Sequence, residues 1–340
     1  MATEKILIGM SGGVDSSASA YLLKQQGYDV TGYTLIFREG QESHIDDARR
    51  VAKDSGIPFE AIDARQRFDA TIINNFLDEY QAGRTPSPCC RCNILKFGLA
   101  FEYGNEHDIS LVATGHYACA ENGQLFCSPV YGRDQAYFLS RLSKKWIENI
   151  RFPLCSYEKP AVREIAAKAG LHCAAKKDSQ DICFIDTDYR DFLFSHGFKS
   201  KKGSIIDETG EQIGTHDGYF RYTIGQRIQL GGLPGKRFVK ETDAESNTVV
   251  IAEDNALLKN TCTINDLNIL EDPLDIPTPL FAKVRSRDSL HPCTVKMNGT
   301  TAELAFTEPV RAITPGQLAV VYTETADGKT MVVASGWIEK

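Results

Sequence analysis

Apolar residues in the first two thirds of the chain fall into two alternating textures. Lys5-Ile6-Leu7-Ile8-Gly9-Met10 is a short apolar run, which predicts a strand buried on both faces of a parallel sheet. Val14, Ala18, Tyr21 and Leu22 then recur at helical spacing, and Gly27 stands where a helix C-cap falls. The pattern repeats with a strand from Val30 to Ile36, a helix with Ala48, Val51 and Ala52 on one face ended by Gly56, and a strand near Phe59 to Ile62. A helix around Phe68 to Tyr80, a Pro- and Cys-rich loop, a helix from Asn93 to His107 and a strand from Ile109 to Thr114 follow. Repeated βα units predict an α/β fold with a doubly wound parallel sheet over residues 1–196, its ligands at the carboxyl ends of the strands.

The texture changes after Gly197. Gly, Lys and Thr are dense through Lys240 with no long helical period, which marks a small central basic domain over residues 197–260. From residue 261 to 340 short alternating segments such as Thr294-Val295-Lys296-Met297 and Leu318-Ala319-Val320-Val321-Tyr322 predict a C-terminal β-barrel-like domain. The prolines at Pro273, Pro277 and Pro279 read as a loop inside it.

Composition narrows the function classes. A chain of 340 residues, 42% of them apolar, has material for two or three cores and is neither disordered nor fibrous. It holds no run of about eighteen apolar residues, and Met1-Ala2-Thr3-Glu4-Lys5 leads straight into a strand, so a soluble, unexported, cytoplasmic protein without a membrane partner is expected. The ten cysteines are then expected as reduced thiols. The net charge of -7 argues against nucleic acid, but its distribution does not: nine Lys or Arg face three Glu between Arg141 and Lys177, and eight face four acidic residues between Lys199 and Lys240. Such a concentration suits phosphates; a solvated surface is the equal alternative.

The first strand runs into Gly9-Met10-Ser11-Gly12-Gly13-Val14-Asp15-Ser16-Ser17. Glycines that let backbone N–H groups turn inward, serine hydroxyls and a helix N-terminus together predict an anion site. With no Gly-Lys-Ser/Thr, this is not a Walker-type loop. It resembles the PP-loop of the ATP pyrophosphatases, of HUP-like fold, which split ATP into AMP and pyrophosphate to make an adenylate of a carbonyl oxygen. The resemblance implies ATP and Mg2+, with Asp15 helping to hold the metal; the alternative for Asp15 is a charge complementing the helix dipole. Gly231-Gly232-Leu233-Pro234-Gly235-Lys236-Arg237 has the wrong spacing for a second phosphate loop and reads as a flexible loop.

Thiols appear in two contexts of interest. Gly83-Arg84-Thr85-Pro86-Ser87-Pro88-Cys89-Cys90-Arg91-Cys92-Asn93 is a proline-stiffened loop ending at a helix start, where the dipole and Arg91 favour thiolate. Lys176-Lys177-Asp178-Ser179-Gln180-Asp181-Ile182-Cys183 again sets a thiol near cations. Cys119, Cys127, Cys155, Cys173, Cys262 and Cys293 read as packing residues. With the phosphate loop, these contexts closely resemble the tRNA-specific 2-thiouridylases, as do Ala113-Thr114-Gly115-His116-Tyr117-Ala118, Asp134-Gln135-Ala136-Tyr137-Phe138-Leu139, Tyr222-Thr223-Ile224-Gly225-Gln226-Arg227 and Arg311-Ala312-Ile313-Thr314-Pro315-Gly316-Gln317.

That resemblance implies 2-thiolation of the wobble uridine in a tRNA anticodon stem-loop, with a sulfur-donor or sulfur-relay protein as a second partner. It implies catalytic thiols at Cys92 and Cys183, the latter carrying a persulfide, and a Cys92–Cys183 disulfide as a turnover state and not a staple. ATP is assigned to Gly9, Met10, Ser11, Gly12, Gly13, Val14, Asp15, Ser16, Leu35 and Gly115. Contacts to tRNA are assigned to Ser87, Pro88 and Cys89, to His116, to Arg133, Asp134 and Gln135, and to Arg285, Ser286 and Gln317. His116 as a satisfied core histidine and Arg285 as a solvated charge are the plain alternatives.

The chain departs from many relatives where they carry Asn-Pro-Asp and it carries Ser87-Pro88-Cys89, and in having Ser286 in place of an aromatic. The first change creates Cys89-x-x-Cys92, which with Cys183 resembles the three-cysteine 4Fe-4S set of other tRNA thiolases, an alternative route to sulfur. A PP-loop ligase acting on a small carboxylate or amide is the competing enzyme class, and a non-catalytic tRNA- or metal-binding module the competing binding class.

Overall fold

The structure is a computed structural model that describes residues 3–130, 132–176, 182–231, 235–272 and 279–339. The chain divides into two compact units: residues 1–72, 89–181 and 324–332 form the first, and residues 73–88, 182–323 and 333–340 the second.

Apolar runs that must bury both faces build the first unit. Its parallel sheet has the order Phe59–Asp63, Asp29–Ile36, Lys5–Gly9, Leu111–Ala113, Ile150–Arg151. Ile6 and Ile8 at its centre are fully buried against Val14, Ala18 and Leu23 of helix Val14–Gln25, with Val162 and Ala166 of helix Lys159–Lys168 in the same core. Helix Glu42–Ser55 buries the Ala48, Val51 and Ala52 stripe read from the sequence and ends on left-handed Gly56, φ 61°. The strand order reverses direction between Lys5–Gly9 and Leu111–Ala113, so the crevice outside their carboxyl ends is the topological switch point.

Two expected helices take a different form. The one around residues 68 to 80 is helix Arg65–Phe68, a π turn at Asp69–Ile73 and helix Asn74–Gln81. The cysteine helix runs Pro88–Glu106, starting before Asn93; a proline suits the first helical position, where its missing N–H has no intrahelical partner to lose.

The second unit is mostly β. Strands Arg227–Ile228, Arg237–Asp243, Thr248–Ala252, Gly203–Ile206 and Gln212–His216 form one sheet in that order around Val239, Val249 and Ile251. In the C-terminal barrel, strand Leu258–Ile269 pairs on one side with Thr301–Arg311 and on the other with residues of Thr330–Ile338. His291–Asn298, Leu280–Lys283 and Leu318–Glu324 lie between them, so the edges are closed rather than left open to another chain. Pro273, Pro277 and the central part of the Gly231 to Arg237 loop lie outside the described residues.

Among the described residues no helix is long and apolar enough to cross a membrane. The expectation that all ten cysteines are reduced is corrected: Cys119 and Cys155, read as packing residues, form a disulfide, with Cα atoms 4.9 Å apart. Strand Ala118–Glu121 and the turn after Ile150–Arg151 are brought together in the first unit, a proximity that a sequence separation of 36 did not disclose.

Candidate functional site

The loop after the first strand stands at the switch point of the first unit. Met10 N–H donates to Tyr33 O at 2.7 Å, extending the sheet by one bond before the chain turns. Gly12 turns it with φ +68°, and a Cβ there would lie 2.7 Å from Asp47 Cβ, so only glycine fits. Inside the turn, Ser11 N–H donates to Ser16 Oγ at 3.1 Å, and Ser16 and Ser17 hydroxyls donate to Gly13 O at 3.2 and 2.8 Å. Gly13 is the N-cap of helix Val14–Gln25 and provides no side-chain cap. The positive end of the helix is therefore left to be complemented from outside the segment, the arrangement that receives an anion.

Gly115, from the segment after strand Leu111–Ala113, closes the other side. A Cβ on it would lie 2.7 Å from Ser16 N and 2.8 Å from Asp15 C. Two backbones thus meet where only glycine permits it, which gives the Thr114-Gly115-His116 segment a physical reason. Leu35, near the end of strand Asp29–Ile36, is 9% exposed.

Asp15 stands in the first turn of helix Val14–Gln25, where its charge complements the dipole, and it also takes partners that the sequence did not disclose. Both of its carboxylate oxygens accept from Lys159 Nζ at 2.8 Å, and Oδ1 also accepts from the Tyr117 hydroxyl at 2.8 Å. The Lys159 side chain is only 8% exposed, against 31% for Asp15. A carboxylate whose two oxygens are already engaged this way does not fit a magnesium ligand. Lys159 lies 144 residues from Asp15 in sequence; only its position at the head of a helix beginning Lys159-Pro160 hinted at a special place.

Cys89, Cys90 and Cys92 fall in the opening turns of helix Pro88–Glu106. Cys90 and Cys92 are buried and Cys89 is exposed. The buried amide of Asn93 anchors this end by donating to Phe138 O at 3.0 Å. Cys183 is an exposed free thiol in the second unit; Lys177 to Asp181, which precede it, lie outside the described residues. Neither Cys92 nor Cys183 is held in a disulfide. Among the described residues no group of three or more His, Cys, Asp or Glu is gathered to hold a metal.

Several expected tRNA contacts have structural work of their own. His116 Nδ1 lies 2.8 Å from Thr114 Oγ1, and burial, aided by the Lys96 charge, lowers its pKa to about 3. A histidine held neutral when folded but free to take a proton near pH 6.5 when unfolded makes the unfolded state bind more protons below that pH, so stability falls as pH drops through 6.5. A 1H–15N titration should accordingly show the His116 ring uncharged from pH 8 down to 5; a midpoint near 6.5 would contradict the burial.

Asp134 Oδ1 accepts from Ser128 N at 2.9 Å and Gln135 Oε1 from Tyr117 N at 2.9 Å, whereas Arg133 is exposed. In the second unit, Gln317 Nε2 donates to Thr85 O at 2.9 Å and Pro86 O at 3.0 Å, bracing the loop that carries Ser87 and Pro88. Arg285 Nη2 donates to Ala312 O and Thr314 Oγ1, each at 2.6 Å, and to Ile224 O at 3.2 Å. Three motifs far apart in sequence, around Tyr222, Arg285 and Arg311, are therefore bonded into one structure.

Comparison with known proteins matches three family models along the chain: a tRNA methyl transferase HUP domain over residues 4–187, a tRNA methyl transferase PRC-barrel domain over 190–253 and an aminomethyltransferase beta-barrel domain over 259–338. The chain is 40% identical to tRNA-specific 2-thiouridylase MnmA 1 of Fusobacterium nucleatum, covering 99% of this chain and 93% of that one. It is 39% identical to tRNA-specific 2-thiouridylase MnmA of Clostridioides difficile, covering 99% and 98%. Among solved structures, a 4-thiouridine synthetase–RNA complex with bound ATP aligns at TM-score 0.38 and 19% identity, covering 53% of this chain and 44% of that one. Near-complete coverage at this identity spans all three domain matches in order, and the chain belongs to the tRNA-specific 2-thiouridylase family.

Proposed function

We propose that this protein is an ATP-dependent tRNA-uridine 2-sulfurtransferase that acts on the wobble uridine of the anticodon loop. The observation that carries the reading is full-length identity of 40% to a relative named for 2-thiouridylation. The family model's description names methyl transfer instead, but methyl transfer gives no role to a pair of thiols at Cys92 and Cys183 that no structural disulfide uses. The domains divide at 196/197 and 260/261 in this reading.

ATP enters as a substrate. Backbone N–H groups and hydroxyls of Gly9 to Ser16 receive its phosphates, and Leu35 and Gly115 flank the adenosine. His116, Arg133, Asp134 and Gln135, the Ser87-Pro88-Cys89 turn, and Arg285, Ser286 and Gln317 form the tRNA-facing set. His116 acts as a neutral hydrogen-bonding ring, given its low pKa.

The uridine O2 attacks the α-phosphorus and pyrophosphate leaves, which turns O2 into part of an AMP leaving group. The terminal sulfur of a Cys183 persulfide attacks C2, and the C2–O2 bond breaks as AMP departs. The Cys92 thiolate attacks the Cys183 sulfur; the bond to the base sulfur breaks, 2-thiouridine is released and a Cys92–Cys183 disulfide forms. An external dithiol reduces it, and a sulfur-relay protein reloads Cys183. The base must leave its stack to be reached, which a single-stranded anticodon loop makes inexpensive.

The direct test incubates the protein anaerobically with ATP, a reduced sulfur source and unmodified tRNA, then digests the RNA. Appearance of 2-thiouridine with stoichiometric pyrophosphate supports the reading; pyrophosphate without thiolated base would return it to the ligase class. Iron and acid-labile sulfide assays on anaerobically purified protein separate the routes, and absence of both leaves the persulfide.

Gly115→Ala tests the nucleotide loop. Forcing a methyl within 2.7 Å of Ser16 N displaces backbone, not a flexible side-chain tip. Such overpacking costs about 1–3 kcal/mol, and the KM for ATP should rise by roughly tenfold or more, in line with the sensitivity of catalysis to small misplacements. An unchanged KM in steady-state pyrophosphate release would remove Gly115 from the site.

A further inference from the structure

A cavity of about 380 Å³ opens in the second unit where the Tyr222 to Arg227 motif meets Arg285. Arg190, Arg221 and Arg285 line it together with Tyr189, Thr223 and Gln226, and none of its lining residues is acidic. Asp188 offsets the Arg190 charge from beside the cavity, and the lining keeps a net excess of positive charge that favours an anion.

The guanidinium groups are braced in place. Arg190 Nε and Nη2 donate to Asp188 Oδ1 and Oδ2 at 2.8 and 2.5 Å, on the turn that opens helix Tyr189–Ser195, which leaves the Nη1 side of the guanidinium to the cavity. The Arg221 guanidinium lies 5.8 Å from the Phe194 ring centre. Arg285 is fixed by the carbonyls of Ile224 and Ala312 and by Thr314. Gln226 Oε1 accepts from Thr223 N at 3.0 Å, which braces a further lining side chain. Preorganised guanidinium groups are the chemistry that holds a phosphate oxygen, with little side-chain freedom to lose on binding.

We propose that Arg190, Arg221 and Arg285 form a cup for a backbone phosphodiester of the bound tRNA. This deepens the function proposed above and rests on it. The cup reads no base: phosphate contacts set register and orientation and carry no sequence information. Its place between the Tyr222 to Arg227 motif and the Arg285 to Thr314 cluster gives these motifs a shared purpose. An RNA strand is favoured over a free anion because Lys199 to Lys240, which holds Arg221, carries eight basic against four acidic residues, a tract that follows a polyanion beyond a single charge.

The test measures affinity for unmodified tRNA by fluorescence anisotropy from 50 to 300 mM salt, with wild type, Arg221→Gln, Arg221→Lys and Arg190→Gln, each checked for an unchanged melting temperature. Each Gln variant should bind about tenfold more weakly, and its slope of log K against log salt should flatten by roughly 0.7–0.9 for the lost phosphate contact. Arg221→Lys keeps the charge and loses the fork, so its slope should stay near wild type while affinity falls. Wild-type slopes in both Gln variants would overturn the cup while leaving the function standing. Absence of tRNA binding by wild type would overturn the function and the cup with it. Inorganic phosphate at millimolar concentration and matched ionic strength should displace tRNA poorly; displacement from wild type but not from Arg221→Gln would make the cup a free-phosphate site and overturn the assignment to RNA.

Discussion

Cys183→Ser should abolish 2-thiouridine formation, lowering the rate by about 10³-fold or more, the scale on which loss of a covalent catalyst is felt. A serine hydroxyl holds no persulfide, so the loss is chemical. Cys183 is exposed, and the substitution should leave the fold almost untouched. Cys92→Ser should be equally inactive for a different reason, and the two variants can be told apart. With Cys183 intact the base still acquires sulfur, but no second thiol breaks the bond to the Cys183 sulfur. An enzyme–tRNA adduct should accumulate on denaturing gels and collapse with dithiothreitol. Since Cys92 is 6% exposed, its serine variant places a hydroxyl in a nearly closed site, and a melting curve must accompany the assay. Full activity in either variant, or no adduct in Cys92→Ser, would end the two-thiol scheme.

How much of this was legible beforehand depended on whether the signal was local. Strands Lys5–Gly9 and Asp29–Ile36 and the helix ended by Gly56 were readable because burial on one stripe or both faces writes a period into neighbouring residues. The anion loop was readable for the same reason: strand, glycines and helix start are contiguous. The cysteine helix was read late, at Asn93, because prolines look like breakers until one is recognised as the opening helical residue. The π turn at Asp69–Ile73 has no period of its own to betray it. Long-range pairings left still less trace. Nothing local to Cys119 names Cys155, and nothing local to Gln317 names Thr85 and Pro86. The roles given to His116, Asp134 and Gln135 came from resemblance, and the structure adds that each is also held by hydrogen bonds to its own fold.

The same limit hid Lys159, whose removal should have the second-largest effect. In Lys159→Met the Asp15 carboxylate loses both Nζ contacts and keeps the Tyr117 hydroxyl. Stripping one partner from a buried ion pair costs about 3–5 kcal/mol; because the Asp15 side chain is 31% exposed, solvent recovers part of this and the low end or less is expected. The melting temperature should fall by roughly 4 °C or less on the size scaling of unfolding entropy for a chain of 340 residues. Asp15 is the second residue of the helix whose first turn faces the phosphate loop, so its release should also loosen Ser11 to Ser16 and raise the KM for ATP more than it lowers kcat. If the pair acts as a unit, Asp15→Asn combined with Lys159→Met should be less damaging than the sum of the two, since the amide leaves no unpaired charge behind. Strict additivity, with each single variant within about 0.5 kcal/mol of wild type, would show that the contact anchors nothing. A deep loss confined to stability, with the KM for ATP unmoved, would separate the anchor from the nucleotide loop.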